Sequence, residues 1–226
     1  MPWVTCSPGM RKLRNPMEEE ESGRRCLPRV SSWMRQTPFH PERCRRLLLT
    51  AMSRLPHVEH QRQKAMECRR REVADALRNG QITTAMMKVE ALMVDEAFVE
   101  GLKLLREVAN VFASRIMHVA VFKQCPTDMR ETVNTLTFAA LVCQSYVGEF
   151  EGFLVEMERK YGKMFVAKIK AEVPGLPINK DVRDRLGMDI NAVPHGIRYA
   201  RLEEIASETG IRLHESAQMG WRSFLS

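Results

Sequence analysis

Residues 82–122 read ITTAMMKVEALMVDEAFVEGLKLLREVANVFASRIMHVAVF, a run without a single proline. The apolar positions Val89, Leu92, Phe98, Leu102, Leu105, Val108, Phe112, Ile116 and Val119 recur mostly at steps of three or four, which places them on one face of a helix. At 1.5 Å per residue such a helix is about 60 Å long. A rod of that length cannot fold around a compact pocket and needs an antiparallel partner. The preceding segment, from about Pro41 to Arg78, is long enough, and Asn79-Gly80 is a turn short enough to join the two arms. The pattern predicts an all-α chain: a long antiparallel helical hairpin with shorter helices packed along it.

The first arm carries Leu48, Met52, Leu55, Met66, Val73 and Leu77 on one side, with a polar gap around residues 59–65. Pro56 interrupts it, and because an interior proline costs about 3 kcal/mol, a kink or break is expected between Arg54 and His57. Beyond the long arm, Asp128 with Glu131 three residues later forms a capping-box-like pattern before Val133, Leu136, Ala140 and Leu141. A further helix is expected from Glu149 to Glu172, irregular at Gly162 and stopped by Pro174-Gly175-Leu176-Pro177. A helical turn from Asn179 to Leu186, a loop at Pro194-His195-Gly196 and a last helix from Ile197 to Thr209, capped by Gly210, complete the plan. No strand pattern competes.

The chain has 226 residues, 44% hydrophobic and 28% charged, enough for one substantial core. No stretch approaches the roughly twenty apolar residues of a membrane span. Residues 1–38 have no sustained period and many Pro and Gly, and are expected to be a disordered leader; residues 39–210 form the helical domain, and residues 211–226 a short tail. The six cysteines are scattered without a CxxC pair, and Met1-Pro2-Trp3 opens no signal sequence, so reduced thiols in the cytoplasm are expected. Neither a myristoylation glycine nor a prenylation cysteine is present, which leaves electrostatic or amphipathic contact as the route to a membrane.

Catalytic signatures are absent: there is no GxxxxGK[ST], GxGxxG, HExxH or GxSxG. His57 and His60 stand three apart with no third ligand at a metal spacing. No enzyme activity, metal or cofactor is expected. Charge is more informative. Residues 1–78 hold 17 Lys and Arg against 9 Asp and Glu, whereas residues 79–226 hold 18 against 19. In the first arm Arg43, Arg45, Arg46, Arg54, Arg62, Lys64, Arg69, Arg70 and Arg71 form a candidate surface for anionic lipid, each cation near a charged bilayer contributing about 1 kcal/mol. A basic helical nucleic-acid-binding protein is the alternative, but the arm contains no Phe, Tyr or Trp on which bases could stack.

Several blocks in fixed order resemble a known family. Residues 72–80, EVADALRNG, followed by Lys88-Val89-Glu90, are similar to the hairpin-tip segment of the increased-sodium-tolerance family of ESCRT-III-like proteins, where EIA-x-x-L-x-x-G precedes a helix with R/K-V-E. Residues 134–140, NTLTFAA, resemble its S-x-L-I-x-A-A block, and residues 160–165, KYGKMF, its K-Y-G-K-x-F/Y block. Ile178-Asn179 through Leu186 resembles its V-N turn, and Glu203-Glu204-Ile205-Ala206 its terminal E-I-A helix.

The resemblance implies an ESCRT-III-like core that acts as a non-enzymatic scaffold or regulator in endosomal multivesicular-body sorting, cytoplasmic and peripheral on endosomal membranes. It implies ESCRT-III subunits and the vacuolar-sorting AAA ATPase as partners, and homo- or hetero-polymers. A partner's short amphipathic helix would lie in a groove whose candidate walls are Val133, Leu136 and Leu141 on one helix and Phe153, Met157 and Phe165 on the next, with plain core as the alternative fate for most of the six. Two departures stand out. Thr84 and Met86 occupy positions that are basic in the family, leaving Lys88. The tail Ile211 to Ser226 is also too short for the family's usual ATPase-docking helix, so the ATPase is expected to bind weakly or through the partner. Far-ultraviolet circular dichroism is expected to show a mainly helical protein; a substantial sheet signal would refute the fold.

Overall fold

In a computed structural model of the chain, residues 38–211 are described. The chain divides into two units, residues 1–36 and 37–226; the first lies outside the described residues, and the second is described below. The expectations for the leader, and for the tail after Ile211, likewise fall outside.

The hairpin is present. Helix α1 (Pro41–Arg78) and helix α2 (Ile82–Ser114) run antiparallel. The turn between them closes α1 with a Schellman pattern. Gly80 N–H bonds the carbonyl of Leu77 at 3.0 Å and Gln81 N–H that of Ala76 at 2.9 Å, and Gly80 takes φ +69°, which a β-carbon disfavours. Pro56 does not break α1. The helix runs through it with Leu55 and Val58 buried on either side, so packing on the core offsets the lost hydrogen bond.

Two expectations about helix continuity are corrected. The long arm is not one rod, because at Arg115 the backbone leaves helical geometry (φ −110°, ψ 14°) and resumes as α3 (Ile116–Val121). Arg115 donates to Asp128 at 3.1 Å and His118 faces the same carboxylate, so the connection to the next helix holds the offset. That engagement also removes Asp128 from capping duty. A 3-10 turn (Thr127–Met129) leads into α4 (Arg130–Cys143) without a side-chain cap, and Glu131 instead accepts from Asn179 at 3.1 Å. The second correction is at Gly162. Its φ of +89° and ψ of 157° belong to glycine alone, and they split the expected helix into α5 (Glu149–Tyr161) and α6 (Lys163–Lys170).

Helix α7 (Lys180–Leu186) is capped by Asn179, whose side-chain oxygen accepts from Val182 N–H at 3.1 Å. Helix α8 (His195–Glu208) ends in a second Schellman pattern, with Gly210 at φ +68°. No strand occurs among the described residues.

The core has two parts. The larger joins the first half of α1 and the second half of α2 to α3–α7, around Phe112, Phe150, Phe153, Leu136 and Met157. The smaller fills the hairpin tip, where Val73, Ala76, Leu77, Met86, Val89 and Leu92 close on Leu202, Ile205 and Ala206 of α8. Helix α7 seats on α2 at Gly101, where an added β-carbon would lie 2.7 Å from Leu186 Cδ2 and 2.8 Å from its Cγ. Gly101→Ala would gain about 1 kcal/mol of helix propensity but incur roughly 1–3 kcal/mol of overpacking. The expected outcome is a net loss of about 1 kcal/mol in urea unfolding, against the propensity trend.

Candidate partner and membrane surfaces

The nine cations proposed from sequence divide into two sets. Five engage acids of the domain. Arg62 and Arg69 converge on Asp95 of α2, Arg62 at 2.5 Å, and Asp95 itself is only 2% exposed. Arg70 reaches Glu96 at 2.8 Å, Arg54 reaches Glu149 at 2.9 Å, and Arg43 lies 3.6 Å from Glu156. The other four, Arg45, Arg46, Lys64 and Arg71, are exposed and have no acidic partner among the described residues. Spacing along the helix could not make this division, because it depends on which acids α2 and α5 present.

Asp95 and Glu156 were legible in a different way. Each stands inside an apolar stripe, Asp95 between Leu92 and Phe98, Glu156 between Phe153 and Met157, where a charge is retained only if it meets cations. Asp95 meets two, and Arg62 also stacks its guanidinium 4.9 Å from the ring centres of both Phe98 and Tyr146. Glu156 is fully buried. It accepts from the backbone N–H of His40 at 3.1 Å and from Arg159 at 2.5 Å, so its carboxylate caps the start of α1 where the residue's own side chain does not. Asp95, with Arg106–Glu59, Arg198–Glu90 and Arg201–Glu96, makes a polar belt between the two cores, whereas Glu156 lies within the larger core at the start of α1.

Most of the six groove candidates are core. Val133, Leu136, Phe153 and Met157 have no exposed surface and belong to the larger core, because α4 and α5 pack directly on each other and on the hairpin. Leu141 and Phe165 are half-buried against that core. Of the six, only these two are accessible.

The resembling blocks account for one another in space. The tip segment packs Val73, Ala76 and Leu77 on Ile205 and Ala206 of the terminal block. In the middle, Asn134 donates to the carbonyl of Pro177 at 3.1 Å and Thr135 Oγ1 accepts from Asn179 N–H at 2.9 Å, which ties α4 to the turn before α7. At Lys160-Tyr161-Gly162, Lys160 donates to the Ala120 carbonyl at 2.9 Å, and burial lowers its ammonium below the usual lysine range.

Three thiols of the described residues are poorly disposed to chemistry. Burial pushes Cys143 up to about 12, and Cys44 and Cys125 are raised for the same reason, so none is a ready nucleophile at neutral pH. Among the described residues no three His, Cys, Asp or Glu side chains gather to hold a metal, and no helix is long and apolar enough to cross a membrane. His57 pairs with Gln61 at 2.9 Å.

Removing the acid at the belt leaves two arginines facing a low-dielectric seam. Asp95→Ala is expected to lower unfolding free energy by roughly 2–3 kcal/mol, the upper range for a broken buried pair being tempered by the partly exposed guanidiniums. Double-mutant cycles of Asp95→Ala with Arg62→Ala and with Arg69→Ala should apportion it, and additive losses would refute the coupling.

Comparison with known proteins agrees with this geometry. The model of the Ist1 family, "Regulator of Vps4 activity in the MVB pathway", matches residues 45–212. An IST1-like protein of Dictyostelium discoideum is 25% identical over 116 residues, which cover 51% of this chain but 31% of that relative; the chain thus spans about a third of the relative's length. Among solved structures, the Saccharomyces cerevisiae Ist1 N-terminal domain, crystallised in complex with a Did2 MIM motif, superposes with a TM-score of 0.66 at 19% identity. The match covers 79% of this chain and 96% of the yeast one. With most of the domain inside the family match, and the hairpin and its packed helices in place, the chain belongs to the Ist1 family of ESCRT-III-like proteins.

Proposed function

We propose that this protein is a non-enzymatic regulator of the Vps4 ATPase in multivesicular-body sorting, recruited to endosomal membranes peripherally and acting through an ESCRT-III subunit. The family match over residues 45–212 carries this reading. The yeast domain with the same fold was solved with a MIM motif bound, which supports an amphipathic helix as the partner's contribution. On this chain the contact of α4 and α6 is the proposed seat, with Leu141 and Phe165 as the two of the six candidates left accessible on the larger core. Vps4 would be reached mainly through that partner. Membrane attraction is assigned to Arg45, Arg46, Lys64 and Arg71, since the remaining cations of α1 are engaged by acids within the domain.

Calorimetry with a MIM-motif peptide tests the partner contact. Binding to the full chain is expected, with Leu141→Asp and Phe165→Asp each weakening it by about tenfold or more, the loss typical of a central apolar contact. Peptide binding unaffected by both variants would move the seat elsewhere, and no binding would remove the partner reading. For the membrane, combined Arg45→Glu, Arg46→Glu and Arg71→Glu should abolish salt-sensitive binding to phosphatidylserine vesicles without lowering the melting temperature. Arg62→Glu is expected to lower the melting temperature instead.

A further inference from the structure

Helix α3 reads IMHVAV and is apolar on nearly every side, yet only Ile116 and Val119 enter the core. Met117 is 57% and Val121 76% exposed, and the next residue, Phe122, is half-exposed with His118 edge-on to its ring at 5.1 Å. A helix with two apolar faces and one packed face leaves a surface that water covers poorly.

The start of α6 lies at the same end of the domain. Lys160 bonds Ala120 and Tyr161 lies against Cys125, so the α5–α6 junction meets the segment that carries Phe122 between those residues; three residues after Tyr161, Met164 is 69% exposed. The Lys160 ammonium also stands 5.3 Å from the ring centre of Phe39, which brings the start of α1 to this end.

Charge identifies the occupant. Residues 116–126 and 162–171 contain no Asp or Glu, while Lys123, Lys163, Lys168 and Lys170 are all exposed. The acids that follow these stretches are Asp128, engaged by Arg115, and Glu172, exposed just beyond the second stretch. Protruding Met, Val and Phe side chains within a lysine-rich rim complement anionic headgroups above acyl chains, because lysine stems lie along the apolar layer while their ammonium groups reach the phosphates. We propose that α3 and the start of α6 insert shallowly into an anionic bilayer surface. This contact differs from the basic face of α1, which needs charge alone, and does not depend on a protein partner.

The test is co-sedimentation of the full chain with phosphatidylcholine vesicles, with and without phosphatidylserine, at low and high salt. The wild type is expected to retain a salt-resistant bound fraction on phosphatidylserine vesicles. Combined Val121→Ser, Phe122→Ser and Met164→Ser should reduce partitioning by about tenfold or more, since three exposed apolar groups no longer enter the acyl layer. Combined Arg45→Glu, Arg46→Glu and Arg71→Glu should remove the salt-sensitive part and leave the resistant part, which separates this contact from the one on α1. If the triple variant melts early, Met164→Ser alone is read the same way, with a partial loss expected. Wild-type partitioning by a folded variant overturns the proposal. So does sedimentation velocity showing a dimer that these substitutions dissolve while vesicle binding is unchanged, which would assign the face to a second copy of the chain.

Discussion

Asp95 sets the register of the hairpin. It occupies an apolar position on α2, and the seam tolerates its charge only where Arg62 and Arg69 of α1 meet it. A slip of one helical turn, about 5.4 Å, would set that carboxylate against apolar side chains and leave two arginines without a partner. The effective cost of burying an unpaired charge is several kcal/mol, comparable with the whole stability of a domain. Two smooth apolar stripes would permit several registers; one buried acid between two arginines permits one.

The position of the belt also explains the division of the core. On either side of it the hairpin buries apolar clusters that do different work. The larger is assembled from α3–α7, with Glu156 fixing the start of α1 from α5. The smaller belongs to the tip and needs α8 to close it. Helix α8 is held there by apolar contacts and by Arg198 and Arg201 on Glu90 and Glu96, charges on the α2 flank of the same belt. Charge and packing thus specify one docking position for a helix that reaches the tip only after a long irregular connection.

A basic stretch of helix therefore divides into engaged and exposed cations in a way that composition cannot foresee. Arg62, Arg69 and Arg70 hold the hairpin together, while Arg45, Arg46, Lys64 and Arg71 remain available to an external anion. In the same way, large apolar residues at helical spacing serve both as core and as surface: Val133 and Phe153 are wholly enclosed, whereas Val121 and Met164 are open.

The sequence by itself determined the helical class, the two arms, the turn at Asn79-Gly80 and the order of the blocks shared with the Ist1 family. These rest on local periodicity and on glycine and proline conformations, which a linear pattern records. It also held the two buried acids in plain view as charges inside apolar stripes. Only the tertiary structure decided the break at Arg115, the loss of the expected cap at Asp128, which cations are neutralised, and that four of six groove residues are enclosed. The reason is common to all four. Each depends on which side chain arrives from a distant element, as Asp128 does at Arg115 or Asp95 at Arg62, and helical spacing specifies a face without naming what will meet it.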